Sequence, residues 1–159
     1  MIKKGANIPD ADHVMRYVSK NRLRRDESEN IIGVLPQAFQ LRPNEDALSV
    51  TWIDHFVGDK ATKIKESVHV LRKAIRVTET SAFAIGNVGG IKEVCIGSGA
   101  SGVRIVYAPS KTNLAHSGIK KLPRDDAGLR AALAAEAFTE LVKNSAVASA
   151  VAPDSLASK

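Results

Sequence analysis

One cysteine, one tryptophan, two tyrosines and four phenylalanines are all the chain has of the residues that usually staple or fill a small core. The lone Cys95 has no partner for an internal disulfide and no second thiol for a multi-cysteine zinc site, which fits a reducing compartment. Aromatic residues make up 4% of the sequence, so aliphatic side chains must carry the core. No window reaches the eighteen or so apolar residues that a membrane span needs. The opening MIKKGANIPDADH has two lysines with no apolar stretch behind them, so the expectation is a cytoplasmic protein with no membrane partner. The chain also has no His-x-His or His-Glu-x-x-His pair, no Gly-x-Ser-x-Gly elbow, no dinucleotide fingerprint and no P-loop, so neither a cofactor nor a metal is expected.

What is present is an ordinary globular composition, 44% apolar and 25% charged over 159 residues. A chain of this length fits one domain that buries roughly two thirds of its unfolded surface. Lysine and arginine outnumber acids 23 to 17, giving a formal charge of +6 and a sequence pI near 9.6. The excess is clustered. Residues 104–124 hold Arg104, Lys111, Lys120, Lys121 and Arg124 with no acid, and Lys60, Lys63, Arg72, Lys73 and Arg76 recur through a second segment. Clustered positive charge is the usual footprint of a polyanion partner, and the competing reading is a solvated basic surface.

Residues 1–8 read as a loose start, 9–144 as one α+β domain and 145–159 as a flexible or partner-ordered tail. Asp10 would cap a short helix with Val14, Tyr17 and Val18 on one face and Arg16, Lys20, Arg22, Arg24 and Arg25 outward. Ile31 to Leu35 and Ala38 to Leu41 are brief apolar runs around Pro36, and Arg42-Pro43-Asn44 signals a turn. Leu48, Val50 and Trp52 alternate with Ser49, Thr51 and Ile53, the period of a half-buried strand. Asp59 suits the N-cap of a helix whose stripe is Ile64, Val68, Leu71 and Ile75. Val77 to Gly86 reads as a strand through Ala82, Phe83, Ala84 and Ile85, and Val103 to Tyr107 as a second, entered from the Gly97 to Gly102 loop as in a hairpin. Residues 110–123 read as irregular, with one helical turn near His116. The longest helix begins at Asp125 or Asp126 and carries Leu129, Leu133, Ala137 and Leu141 every four residues. This order does not alternate as a doubly wound fold does, so the predicted architecture is α+β, a largely antiparallel sheet packed by two main helices in a single domain.

Six of the eleven glycines lie between Gly86 and Gly102. Asn87, Gly89, Gly90 and Lys92 would make a phosphate cradle if the turn left its amides free at a helix N-terminus; otherwise they form a structural turn. His116, preceded by Asn113 and followed by Ser117, is the candidate acid-base residue, with packing of the loop as its structural reading. His13 and His55 would have to meet it in space to hold a metal, and His69 falls on the basic helix. Trp52 reads as core with base stacking as the alternative, and the Arg22, Arg24 and Arg25 run reads as a loop compensated by Asp26, Glu27 and Glu29.

The segments AFQLRPNEDALSVTWIDHF and NLAHSGI, with LPRDD before an alanine-rich stretch, resemble a group of small bacterial proteins to which no activity attaches. The resemblance implies a bacterial, cytoplasmic setting and adds no mechanism.

The sequence therefore favours a binding or accessory protein that engages nucleic acid or another polyanion through the two basic segments. Its competitors are a small enzyme acting on a nucleotide or nucleic-acid phosphate, with His116 as acid-base residue, and a subunit docking a protein partner through the C-terminal helix and tail. The first reading predicts a mobility shift of nucleic acid that fades steeply as salt is added, because each neutralised phosphate releases counterions.

Overall fold

Strands carrying apolar side chains on both faces must sit inside a layered structure, and the central strands here do so. The chain forms β1 (His13–Val18), β2 (Leu23–Arg25), β3 (Ile31–Val34), β4 (Ala47–Trp52), β5 (Ala82–Asn87), β6 (Arg104–Tyr107), β7 (His116–Lys120) and β8 (Glu140–Lys143). The computed structural model describes residues 2–149. Six strands make one sheet in the order β6-β7-β4-β1-β5-β8, every neighbouring pair antiparallel, while β2 and β3 form a separate hairpin. The architecture is the α+β one expected from the sequence.

Helices cover both faces. On one, α1 (Lys60–Ala74) sets Val68 and Leu71 against Met15, Phe83 and Ile85, with Ile53 in the same cluster. On the other lie α2 (Val88–Gly97) and α3 (Ala127–Ala132), the latter running on as a π-helical turn over Leu133–Ala137. Ile91, Cys95, Leu129, Leu133 and Phe138 pack there with Val14, Val18, Leu48, Val50, Ala82 and Ala84. Residues one apart in β1 and β5 thus feed two cores, the period-two geometry of strands. Each main helix is capped by the side chain its sequence supplies: Asp59 accepts from the Thr62 amide at 2.8 Å, Asn87 from Gly90 at 2.9 Å and Asp126 from Leu129 at 2.9 Å.

Several elements differ from the sequence expectation. Val14, Tyr17 and Val18 form part of strand β1, not a helix face. Their spacing fits both periods, and pairing with β5 over six residues decides for the strand. His116 to Lys120, expected as irregular, is β7, held between β4 and β6 despite its Ser and Gly, because pairing and burial override weak strand propensity. Pro36–Phe39 is a 3₁₀ turn that takes in the start of the Ala38 to Leu41 apolar run. The glycine loop after α2 links that helix to β6 and closes no hairpin. The final helix stops at the π turn, so Leu141 and Val142 continue the helical spacing in sequence but pair with β5 as an edge strand. The tail expected over 145–159 is described only to residue 149, where a 3₁₀ turn at Asn144–Ala146 leads to Val147 and Ala148; the rest lies outside the described residues.

Gly86 shows how tightly the second face is packed. A Cβ there would stand 2.8 Å from the Ala137 carbonyl oxygen and 3.0 Å from the Ile91 Cδ1. Gly86→Ala is expected to lower stability by about 1–3 kcal/mol, the usual penalty for overpacking, read as a reduced denaturant midpoint.

Candidate anion-binding cleft

β1 pairs with β4 at only two positions, Val14 with Trp52 and Met15 with Thr51, while β4 pairs with β7 over five. Beyond Met15 the two strands part, and the side chain of Arg16 enters the gap. Its Nη1 donates to the Ser49 carbonyl at 2.8 Å and its Nε to the Ala38 carbonyl at 3.0 Å. The Ser49 carbonyl is a backbone acceptor that would otherwise lack a strand partner on that side.

The split opens into two lobes. One, of about 290 Å³, lies on the α1 side of the sheet and is lined by Ser49, Thr51 and His116 with the end of α1 as a wall. The other, of about 380 Å³, is lined by Ser19, Arg22 and Gln40. Arg16, Tyr17 and Arg42 border both. The lining carries three arginines and, in the first lobe, the single acid Glu45. Glu45 Oε1 is engaged by the Arg42 backbone amide at 2.9 Å. Arg124 holds that same turn, donating to the Arg42 carbonyl at 3.1 Å and to the Glu45 carbonyl.

Arg16 is half-buried and, among the described residues, forms no ion pair and bonds two neutral carbonyls. Burial lowers the pKa of its guanidinium to about 10; Glu45 opposes this, and Arg42 and Arg22 add to it by repulsion. The Arg42 guanidinium is exposed and has no hydrogen-bonded or ion-paired partner among the described residues.

His116 stands on the floor of the first lobe. Its Nδ1 lies 2.8 Å from the Ala108 carbonyl, which can only accept, so Nδ1 carries the hydrogen. In the neutral ring Nε2 is then an acceptor, and Ser49 Oγ, 3.2 Å away, donates to it. Asn113 fastens the adjoining loop, donating from Nδ2 to Thr51 Oγ1 at 3.1 Å and accepting from the Ala115 amide at 2.9 Å.

The other residues singled out from the sequence do not converge. Asn87, Gly89 and Gly90 form the N-terminus of α2, but the Gly89 amide donates to the Asp10 carbonyl at 2.9 Å and Gly90 to Asn87 itself, so the chain fills its own cradle. Lys92 pairs with Asp10 at 2.5 Å, on the face of the sheet opposite His116. On α1, Lys60 pairs with Glu140 at 2.9 Å and Lys63 with Asp54 at 3.0 Å. Arg72 spends its donors on Asn144, Val147 and Ala148, while Lys73 and Arg76 are exposed. Arg104 and Lys120 face each other across β6 and β7, Arg104 Nε donating to Asn7 at 3.1 Å, with Lys121 just beyond and Lys111 exposed on the loop. None of these cations lines either lobe; Arg124 meets the cleft through the turn it holds, and Lys111 sits between Ser110 and Thr112, which do line the first lobe.

The histidines also stay apart. His13 contacts Asp54 at 3.3 Å, His55 stacks on Tyr107, and the His69 ring lies 2.9 Å from the Ala148 carbonyl. Among the described residues no group of three or more His, Cys, Asp or Glu is arranged to hold a metal ion. Trp52 is core, its Nε1 donating to Asp12 at 2.9 Å, and burial raises the Cys95 thiol pKa to about 11. In the sequence Arg16 reads as an outward helix residue, Arg42 as part of a turn and Ser49 as a strand position, none of them as a site residue. The one signal for Ser49 was its place on the polar side of an alternating strand. Comparisons with family models, curated proteins and solved structures found no match.

Asp54 ties the start of β1 to α1, accepting from the His13 amide at 2.7 Å and from Lys63. Burial pushes its carboxyl up, but the hydrogen bonds from Lys63 and His13 outweigh this and hold it below the usual carboxylate range. A depressed folded value means stability that is present above the unfolded pKa of about 4 and lost as pH falls through the folded one. Asp54→Asn should therefore lower stability by about 1 kcal/mol at neutral pH, at the low end because solvent screens the site. The gap to wild type should close in acid, as followed by chemical denaturation across pH 2 to 7, roughly the span in which a carboxylate titrates.

Proposed function

We propose that the protein binds a small phosphate-bearing ligand, of mononucleotide size or below, in the cleft between β1 and β4. The observation that carries this reading is Arg16, a half-buried cation held among neutral carbonyls, with Arg42 and Arg22 as its charged neighbours. Charges removed from water are normally paired, and a site of repelling guanidinia with one engaged carboxylate favours an anion that supplies the missing negative charge. Planar guanidinia suit phosphate oxygens in particular, because their donors match them in pairs. Lobes of about 290 and 380 Å³ fall at the small end of ligand sites, which favours a compact ligand. This reading keeps an anionic partner but replaces the polyanion expected on an open basic surface with a small ligand in a cleft. We place the protein in the bacterial cytoplasm, where an unpaired cysteine stays reduced.

The test is a calorimetric and thermal-shift titration with inorganic phosphate, pyrophosphate and AMP at low salt. Binding of at least one, with a raised Tm, is expected. Arg42→Gln should weaken it roughly tenfold or more, the weight of one charge-assisted hydrogen bond. Lys73→Gln and Arg76→Gln should leave it unchanged. No binding of any of the three, or binding lost on changing Lys73 and Arg76 but kept in Arg42→Gln, would overturn the cleft reading.

A further inference from the structure

The cleft contains more than an anion site. Ser49 projects from β4 into the first lobe, its hydroxyl 3.2 Å from His116 Nε2, and the far nitrogen of that ring is fixed by the Ala108 carbonyl at 2.8 Å. This is the sequence of contacts that activates a serine: a nucleophile hydrogen-bonded to a base, and the base oriented by a third group that dictates its tautomer. A backbone carbonyl here takes the place that a carboxylate usually fills. Hydroxyl and imidazole are both half-buried, so the pair is shielded yet reachable through the lobe. Ser117, the serine adjacent to His116 in sequence, is fully buried and bonds the Ala115 carbonyl, which leaves Ser49 as the histidine's partner.

We propose that Ser49 is the nucleophile and His116 the general base of an esterase acting on a carboxylic ester that carries an anionic group near its scissile carbonyl. The proposal rests on the anion site described above for its substrate preference and on the Ser49–His116 pair for its chemistry. Arg16 Nη1, already 2.8 Å from the Ser49 carbonyl oxygen, places a guanidinium within the same residue's neighbourhood, so an anion on Arg16 and Arg42 brings an attached ester to the hydroxyl.

In the first step Ser49 Oγ bonds to the carbonyl carbon as its proton passes to His116 Nε2. The carbon–oxygen bond to the alcohol then breaks, and the alcohol leaves with that proton. In the second step water attacks the acyl-serine, His116 takes the proton from the water, and Ser49 Oγ departs and recovers it. One ester and one water give one acid and one alcohol.

The experiment uses a fluorophosphonate reagent, which phosphonylates activated serines, with intact-mass and peptide-mapping readouts. It adds rate measurements on p-nitrophenyl succinate, which is anionic, and p-nitrophenyl acetate, which is neutral. A single adduct on Ser49 is expected, absent from Ser49→Ala and slowed roughly a hundredfold or more in His116→Asn, the usual weight of a general base. The anionic ester should be turned over roughly tenfold or more faster than the neutral one, and Arg42→Gln should erase that preference. Should His116→Asn fail to fold by circular dichroism, Ser49→Cys serves instead, and its new thiol should alkylate with iodoacetamide far faster than free cysteine does. No adduct, an adduct on another serine, labelling indifferent to His116, or an unreactive thiol in Ser49→Cys would overturn the proposal. Phosphate binding that survives in an unlabelled protein rejects the catalysis alone. Labelling of Ser49 without anion binding or anionic preference rejects the anion site and keeps the nucleophile.

Discussion

The guanidinium of Arg16 lies where two neighbouring strands stop pairing, and the cleft, its charge and the placement of its polar floor all depend on that insertion. A sheet that splits leaves backbone carbonyls without ladder partners, and an orphaned buried acceptor is costly. By donating to Ser49 on β4, Arg16 satisfies one such group, and by donating also to Ala38 in the 3₁₀ turn it ties three elements together from one side chain. Neutral carbonyls do not cancel its charge, so the same contact that mends the split makes it electropositive.

Arginine serves this purpose throughout the chain. Arg22 donates to the Gln37 carbonyl, Arg25 to those of Glu29 and Thr80, Arg72 to Asn144, Val147 and Ala148, Arg124 to Arg42 and Glu45, and Arg130 to Arg124. Five donors in a rigid fork let one side chain hold a turn or an end of chain against its neighbour, which lysine cannot do. In a protein with few aromatic residues and no disulfide, such fastening takes over part of the role of covalent or aromatic packing. The formal +6 is therefore in part a by-product of construction, and a basic pI by itself says less about a polyanion partner than the position of the few cations left unpaired.

Elements whose sequence carries a single clear period were legible. β4 shows Leu48, Val50 and Trp52 on one face, and α1 shows its stripe and its Asp59 cap. β1 was not, because a central strand buried on both sides has no alternation, and Val14, Tyr17 and Val18 satisfy a helix equally well. β7 was hidden by its glycine and serine, which only tertiary pairing places in a sheet. The helix break after Ala137 was invisible because Leu141 and Val142 keep the spacing while the backbone leaves the helix. Of the cleft, His116 stood out by residue type alone. Its contact with Ser49 spans 67 positions, and no local pattern encodes a meeting between residues so far apart along the chain.

The location of the cleft follows from how much of the sheet a single helix can cover. α1 packs its apolar stripe on Met15, Phe83 and Ile85, over β1 and β5, while β4 and β7 present Ser49, Thr51 and His116 on that same face. Those side chains suit no hydrophobic core, yet Thr51 is buried and Ser49 and His116 are half-buried, so the sequence commits polar groups to a concave surface and satisfies each by a specific partner. A face needed only for solubility would be met by exposed, mutually independent polar residues. Here Ser49 and His116 are linked to each other and to the fixed Ala108 carbonyl, Thr51 is held by Asn113, and Arg16 grips the Ser49 backbone beside them, and that linkage, more than the net charge of the chain, is the physical ground on which the proposals for the half-covered face of the sheet rest.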